Sequence, residues 1–272
     1  MFKIIIFVLV FWFPIHGSSQ NTNTFSLGGG TEHVHNSYLS PYNLKGTRFI
    51  DARFSRDKAI EKSKWKSEWN VEFGVSSLNI DFDFTNLQEN GPLNVAIELS
   101  ADKKYLYNLL DMNKLSIYAG GIAALQSRYQ IISFFGMNLE AKSYTYFMCG
   151  GSAGISTSVN FRLKKVNIQN SSSCLLINAM SLPNNSNDLP FSSNMITRYL
   201  TFSTINSTIH LNNELKIQFP LFYKNRLINS YSLSYTINYE NFETKAVLYK
   251  NLSHIFTLGL IFTTQRMNIL SP

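Results

Sequence analysis

The stretch INSYSLSYTINY, residues 228–239, sets Ser230, Ser232, Ser234, Thr236 and Asn238 on one parity and Tyr231, Leu233, Tyr235, Ile237 and Tyr239 on the other. Side chains of an extended strand point alternately to opposite faces, so this strand is wet on one side and greasy on the other. Alternation is common to soluble sandwiches and membrane barrels, and length separates them. Sandwich strands run to about 5 or 6 residues, whereas a strand crossing hydrocarbon obliquely needs about 9 to 11. The pattern holds unbroken from Ser230 to Tyr239, and again from Ile155 to Lys164. Length favours the barrel.

The same period extends along the chain. Val71, Phe73 and Val75 alternate with Glu72, Gly74 and Ser76, and then Leu78, Ile80, Phe82 and Phe84 alternate with Asn79, Asp81 and Asp83. The parity change at Ser76-Ser77 predicts a turn or bulge there. Val95, Ile97 and Leu99 oppose Asn94, Ala96 and Glu98. Leu215, Ile217 and Phe219 oppose Glu214, Lys216 and Gln218, and Phe256, Leu258, Leu260 and Phe262 form one face of a last strand. Helical periodicity is nearly absent; DKKYLYNLLDMNK, residues 102–114, fits either a helical turn or a strand end with a hairpin. The fold expected is an all-β antiparallel transmembrane β-barrel of about 10 to 12 strands, with short periplasmic turns and longer outer loops.

The polar parity carries Ser, Thr, Asn, Glu and Lys, which suits a hydrogen-bonded lumen. Aromatic residues gather near strand ends, as at Tyr105 with Tyr107, Phe134 with Phe135 and Phe222 with Tyr223, where a membrane interface favours them. The competing architecture is a secreted β-sandwich binding or adhesion module.

Residues 1–19 read as a signal peptide. Lys3 gives a positive start, Ile4 to Phe13 is an apolar run ended by Pro14, and Gly17 and Ser19 are the small residues before the cut. The run is shorter than the roughly 20 residues of a spanning helix. Residues 20–43, with Gly28-Gly29-Gly30 and Pro41, read as an extended N-terminal lead-in, and 44–272 as a single β-barrel domain. The net charge is +7, with bases scattered rather than striped among aromatics, so nucleic acid is not the expected partner. The partners expected are outer-membrane lipid or lipopolysaccharide and an envelope protein. The two cysteines, Cys149 and Cys174, fall on neighbouring strands and are read either as a disulfide or as two separate thiols.

The segments TEHVHNSYLSPYNLKGTRF (31–49) and ENFETKAVLYKNLSHIFTLGLIF (240–262) resemble an uncharacterised Bacteroidota family of signal-bearing proteins, a domain of unknown function. The resemblance rests on Tyr38-Leu39-Ser40-Pro41, on Gly46, on Leu215 to Pro220, and on Ser253-His254 followed by Phe256, Leu258 and Leu260. It spans most of Thr31 to Phe262 and is weakest over Ser143 to Pro190. It implies an outer-membrane barrel and no particular activity.

Three constellations are candidate sites. His33 and His35 share a strand face beside Glu32, a drawable metal set, but without the fourth ligand of a structural zinc site. His254 with Ser253, Ser234 or Ser232 and Asp81 or Asp83 sketches a lipid hydrolase, yet parity puts His254 with Phe256 and Leu258. Asp81, Asp83 and Glu98 with Arg162, Lys164 and Lys216 could pair across a narrow lumen. No catalytic, cofactor or metal residue is assigned. The expected role is structural or partner-binding in the cell outer membrane, with passive solute passage as a further option.

Overall fold

In the computed structural model, residues 19–36, 43–60, 63–80, 94–112, 114–134, 137–161, 164–181, 200–203, 208–220, 230–243 and 248–264 are described. They form β1 (Ser19–Asn36), β2 (Asn43–Ile60), β3 (Trp65–Ile80), β4 (Asn94–Met112), β5 (Leu115–Phe134), β6 (Met137–Phe161), β7 (Lys164–Ser181), β8 (Leu200–Ser203), β9 (Thr208–Pro220), β10 (Ser230–Glu243) and β11 (Leu248–Thr264). Each strand pairs antiparallel with its neighbour, and β1 pairs with β11, which closes the sheet. The short β8 and the longer β9 pair in succession with the same side of β7, so together they occupy one place in a ten-stranded barrel.

The register fixes the barrel's dimensions. From Asn21 the pairing runs through Lys58, Ser67, Tyr105, Gly121, Gly151, Cys174, Leu211, Tyr239 and Leu252. It returns to β1 at His33, 12 residues beyond its start. Ten strands with that stagger tilt by about 40° and set the backbone about 10 Å from the axis. Such a bore is narrow enough for side chains to fill.

Side-chain direction answers the question raised by residues 228–239. Ser232, Ser234 and Thr236 are 2 %, 6 % and 1 % exposed and point to the axis, while Leu233 is 46 % exposed on the outside. Phe25, Leu27, Phe54, Phe73, Leu99, Leu125, Ile155, Leu215, Phe256, Leu258 and Leu260 are exposed as well, giving an apolar outer belt. In a sandwich the greasy parity would be the buried one. Hydrocarbon on the outside of a sheet is tolerable only when no strand edge is left unpaired, and here closure removes the edges.

Several expectations are corrected. Residues 20–43 are not a lead-in: β1 spans Ser19–Asn36 and lies between β2 and β11. Its glycines hid the alternation and are there for close approach, since a Cβ at Gly28 or Gly30 would meet the carbonyl oxygen of Phe256 or His254 at 1.8 Å. β3 does not turn at Ser76-Ser77 but runs through in constant register with β4. The irregularity lies opposite, on β2 between Arg48 and Ile50. The apolar parity of β3 changes because the lumen itself turns apolar there: Leu78 joins Val34, Leu44, Ala96, Tyr146, Phe242 and Tyr249 in an interior cluster. Residues 102–112 continue β4, so the helical alternative falls away.

The chain enters β1 and leaves β11 at one end of the barrel. That end also carries the connections 61–64, 113–114, 162–163 and 221–229; the other end carries 37–42, 81–93, 135–136, 182–199 and 244–247. The apolar interior cluster lies at this second end. Near the first end, Trp65 packs edge-on to Tyr107 with centroids 5.1 Å apart, and Phe54 to Trp69 at 5.9 Å. Lys103 Nζ sits 4.9 Å from the Tyr105 ring. These outward rings form the aromatic girdle expected where hydrocarbon gives way to water. Phe134, Phe135, Phe222 and Tyr223 lie outside the residues whose side chains are described, as does the Tyr38–Tyr42 box.

Candidate functional site in the barrel interior

The inward parity of β2 to β5 assembles a charge network. On β2, Arg48 donates from Nη2 to Glu72 Oε1 at 2.6 Å and from Nη1 to Glu98 Oε2 at 3.1 Å. Its Nε lies 2.8 Å from Asp51 Oδ2. Arg53 donates to Asp51 at 2.6 Å and to Thr236 Oγ1 at 2.7 Å, the second bond reaching across the lumen to β10. On β5, Arg128 donates to Glu32 of β1 at 2.5 Å and approaches Glu98 at 3.5 Å. Gln126 bridges Glu98 at 3.1 Å and Glu240 of β10 at 3.0 Å. Buried ions hold together only when they are paired and hydrogen-bonded, and each arginine here meets two or more carboxylates.

Two local features make room for this. The extra residue on β2 between Arg48 and Ile50 breaks the register just where Arg48 turns inward. Gly74 of β3 lies beneath the Arg48 guanidinium, and a Cβ there would fall 2.1 Å from Nη2. Any side chain at position 74 would push the guanidinium off its carboxylates.

Towards the first end a second group forms, with Lys66 bonded to Glu68, Lys104 4.0 Å from Glu68, and Asn70 donating to Asp102 at 3.0 Å. Between these charges and the hydroxyl-rich strands opposite lies a cavity of about 120 Å³, lined by residues such as Arg53, Asp102, Ser171, Asn212, Lys216 and Ser234. That is room for a cluster of waters, at about 10 to 15 Å³ each on the same measure. Arg48, Arg128, Asp51 and Glu32 are 2 %, 1 %, 0 % and 1 % exposed, so the bore is packed where they sit. Above them the Tyr146 and Phe242 rings stack with centroids 4.8 Å apart, and Phe242 leans on Tyr249 at 5.8 Å.

The constellations foreseen in the sequence are separated by the fold. Glu32 points inward to Arg128, while His33 and His35 point outward, so the three do not share a ligand sphere. Among the described residues there is no group of three His, Cys, Asp or Glu able to hold a metal. His254 faces outward and meets Tyr235 Oη at 2.8 Å, while Ser253, Ser232 and Ser234 face the lumen. Ser234 bonds Thr257 at 2.6 Å. The wall of the barrel stands between base and nucleophiles. Glu98 is in the lumen as expected, but its partners are Arg48 and Arg128; Lys216 is there too, 3.5 Å from Thr24 Oγ1. Asp81, Asp83 and Arg162 lie outside the described residues, and the Lys164 side chain is not described. Cys149 and Cys174 are two free, half-buried thiols on β6 and β7.

The three arginines were missed in the sequence because they sit where alternation falters. Arg48 precedes the bulge, and Arg128 follows the glycines and alanines of 119–124. The available signal was parity: Arg128 is in step with Gln126 and Gln130, as Glu98 is with Asn94.

No family model and no curated relative matches the chain. Among solved structures it is similar to the outer-membrane protease OmpT from Escherichia coli, with 11% identity over 93% of this chain and 99% of that one, at a TM-score of 0.47. It is similar also to the translocator domain of the autotransporter NalP from Neisseria meningitidis (10% identity, 96% and 94% covered, TM-score 0.40) and to the outer membrane protein OprG from Pseudomonas aeruginosa (9% identity, 92% and 97% covered, TM-score 0.34).

Proposed function

We propose that this chain is an outer-membrane β-barrel with a filled lumen, acting as a structural element or partner-binding platform rather than as an open solute path. The observation that carries the reading is the dryness of four ions across the bore: a continuous water path would wet Arg48, Arg128, Asp51 and Glu32, and none is more than 2 % exposed. Lumenal charges in such a barrel tie distant strands together through Arg53–Thr236 and Gln126–Glu240 instead of steering a permeant. The resemblance to the Bacteroidota family, carried by Tyr38 to Pro41 and by Ser253-His254, belongs to the same reading, as does removal of residues 1–19 on export.

Reconstitution tests it directly. The mature chain refolded in detergent should migrate differently boiled and unboiled, and should give no stepwise current in a planar bilayer. Steady unit conductance from the wild-type chain would overturn the filled lumen. Identical migration of boiled and unboiled samples, with solubility in plain buffer, would overturn the membrane barrel itself.

A further inference from the structure

On one side of the barrel the apolar belt is interrupted at mid-height. Across the outer face of β5, β6, β7 and β9 the register lines up Ala119, Ala153, Ser172 and Asn213. Two positions nearer the second end it lines up Gly121, Gly151 and Cys174. The alternate residues Ile122, Ser152, Ser171 and Ser173 are buried in the lumen, so these rows face out. On the far side of the belt the corresponding row sets Leu233, Leu258 and Leu27 side by side. The stagger and tilt put Asn213 within about 2 Å of the axial level of Leu27 and Phe256, midway up the belt.

The polar groups here are exposed where acyl chains lie. Asn213 donates from Nδ2 to Asn170 Oδ1 at 2.9 Å and to Ser172 Oγ at 2.7 Å. Among the described residues nothing donates to Asn213 Oδ1 and nothing accepts from Asn170 Nδ2. Water would complete these bonds at a soluble surface. Lipid tails offer neither donor nor acceptor, so an amide left bare among them is unfavourable. The glycines add an independent sign. At Gly120 and Gly150 a Cβ would meet a backbone carbonyl oxygen at 1.8 and 2.0 Å, so the barrel itself requires those two. At Gly121 and Gly151 the nearest atom would be 3.9 Å away, and the sheet has room for a side chain at both.

We propose that this face is where two copies of the barrel associate in the membrane, the amides of Asn213 and Asn170 bonding across the contact and the bare Gly151 and Ala153 positions letting the walls approach. This rests on the membrane-barrel reading and supplies the partner in it. Copies of one barrel insert in the same direction, so a two-fold axis relating a pair runs along the membrane normal. Such an axis sets every side chain opposite the same depth of its twin. At mid-belt an amide then meets an amide, and an amide is complementary to itself because it both donates and accepts. A lysine or a carboxylate at that depth would repel its twin. Pressing two apolar belts together gains nothing over lipid, so association depends on close packing and hydrogen bonds, and this face offers both.

The test counts subunits by stepwise photobleaching of the singly labelled full barrel in liposomes, over a series of protein-to-lipid ratios. Wild type should give pairs. Asn213→Leu should weaken pairing about 3- to 30-fold, the range for a polar contact within a membrane. Gly151→Phe should abolish pairing by holding the walls apart, and Ala52→Phe, on the far side of the belt, should leave it unchanged. Wild type that stays single at every ratio would overturn the second copy as occupant, whether or not the face holds another protein or a lipid. Pairing that survives both Asn213→Leu and Gly151→Phe would overturn this face. Heat-modifiable migration is followed on every sample: its absence in wild type overturns the barrel, while its presence in a barrel that stays single overturns this contact alone.

Discussion

Inside the barrel, β2 to β5 present Arg48, Asp51, Arg53, Glu72, Glu98, Asp102, Lys104 and Arg128, whereas β6 and β7 present no charge among their described buried inward positions: Ser152, Ser171, Ser173 and Asn178, with Tyr146, Met148 and Leu175 towards the second end. The two walls are neighbouring arcs of the same bore, joined where β5 pairs with β6. The long charged side chains of the first wall reach Glu32 of β1 and Thr236 of β10, and the short side chains of the second leave them room. A lumen about 20 Å across between backbones is filled in this way by long charged side chains together with Ile122, Met148 and Leu175. The contrast also divides the energetics. On the charged wall each ion depends on several partners at once, and on the neutral wall hydroxyls bond locally, as Ser152 Oγ does to the Ser172 carbonyl at 3.3 Å. Damage should therefore be cooperative on one side and additive on the other.

The largest effect is expected at Arg48. Arg48→Met strands Glu72, Glu98 and Asp51, and should cost about 3 to 5 kcal/mol in reversible urea unfolding from liposomes. Adding Glu72→Gln and Glu98→Gln to it should recover much of the loss; no recovery would mean that packing, not charge, dominates this wall. Gly74→Ala comes next, at about 1 to 3 kcal/mol, because its methyl displaces the guanidinium. Its cost should shrink in the Arg48→Met background, and full additivity there would break the claim that the two act as one unit. On the neutral wall Ser173→Ala should cost no more than about 1 kcal/mol and add independently to Gly74→Ala. Smallest is Tyr235→Phe on the outer face, which removes the 2.8 Å bond to His254 and should cost about 0.5 to 1 kcal/mol.

Fold class was legible because lipid and lumen impose opposite demands on alternate residues, and Ser230 to Tyr239 of β10 obey them without exception. What escaped is where a third demand intervenes. Close strand approach put glycines into β1, and these erased its pattern. The apolar interior at one end inverted the parity of Leu78 and so imitated a turn. The charge network was only partly foreseen: Glu98 is a member, but its partners lie 50 and 30 residues away in sequence, and only the stagger of the closed sheet brings them together. The outer face of β1 shows the reverse. His33 and His35 were visible as a pair, yet Lys45 and Lys250 become their neighbours only through register.

The seam between β1 and β11 joins the first and last of the described strands, from Asn21 with Thr264 to Asn36 with Tyr249. A nascent chain therefore cannot complete its cylinder until β11 has been made. Stopped at residue 247, it would carry two raw edges, on β1 and β10, whose amides hydrocarbon cannot satisfy. Closure in the bilayer thus waits on synthesis of β11, and a product cut before it keeps both edges open.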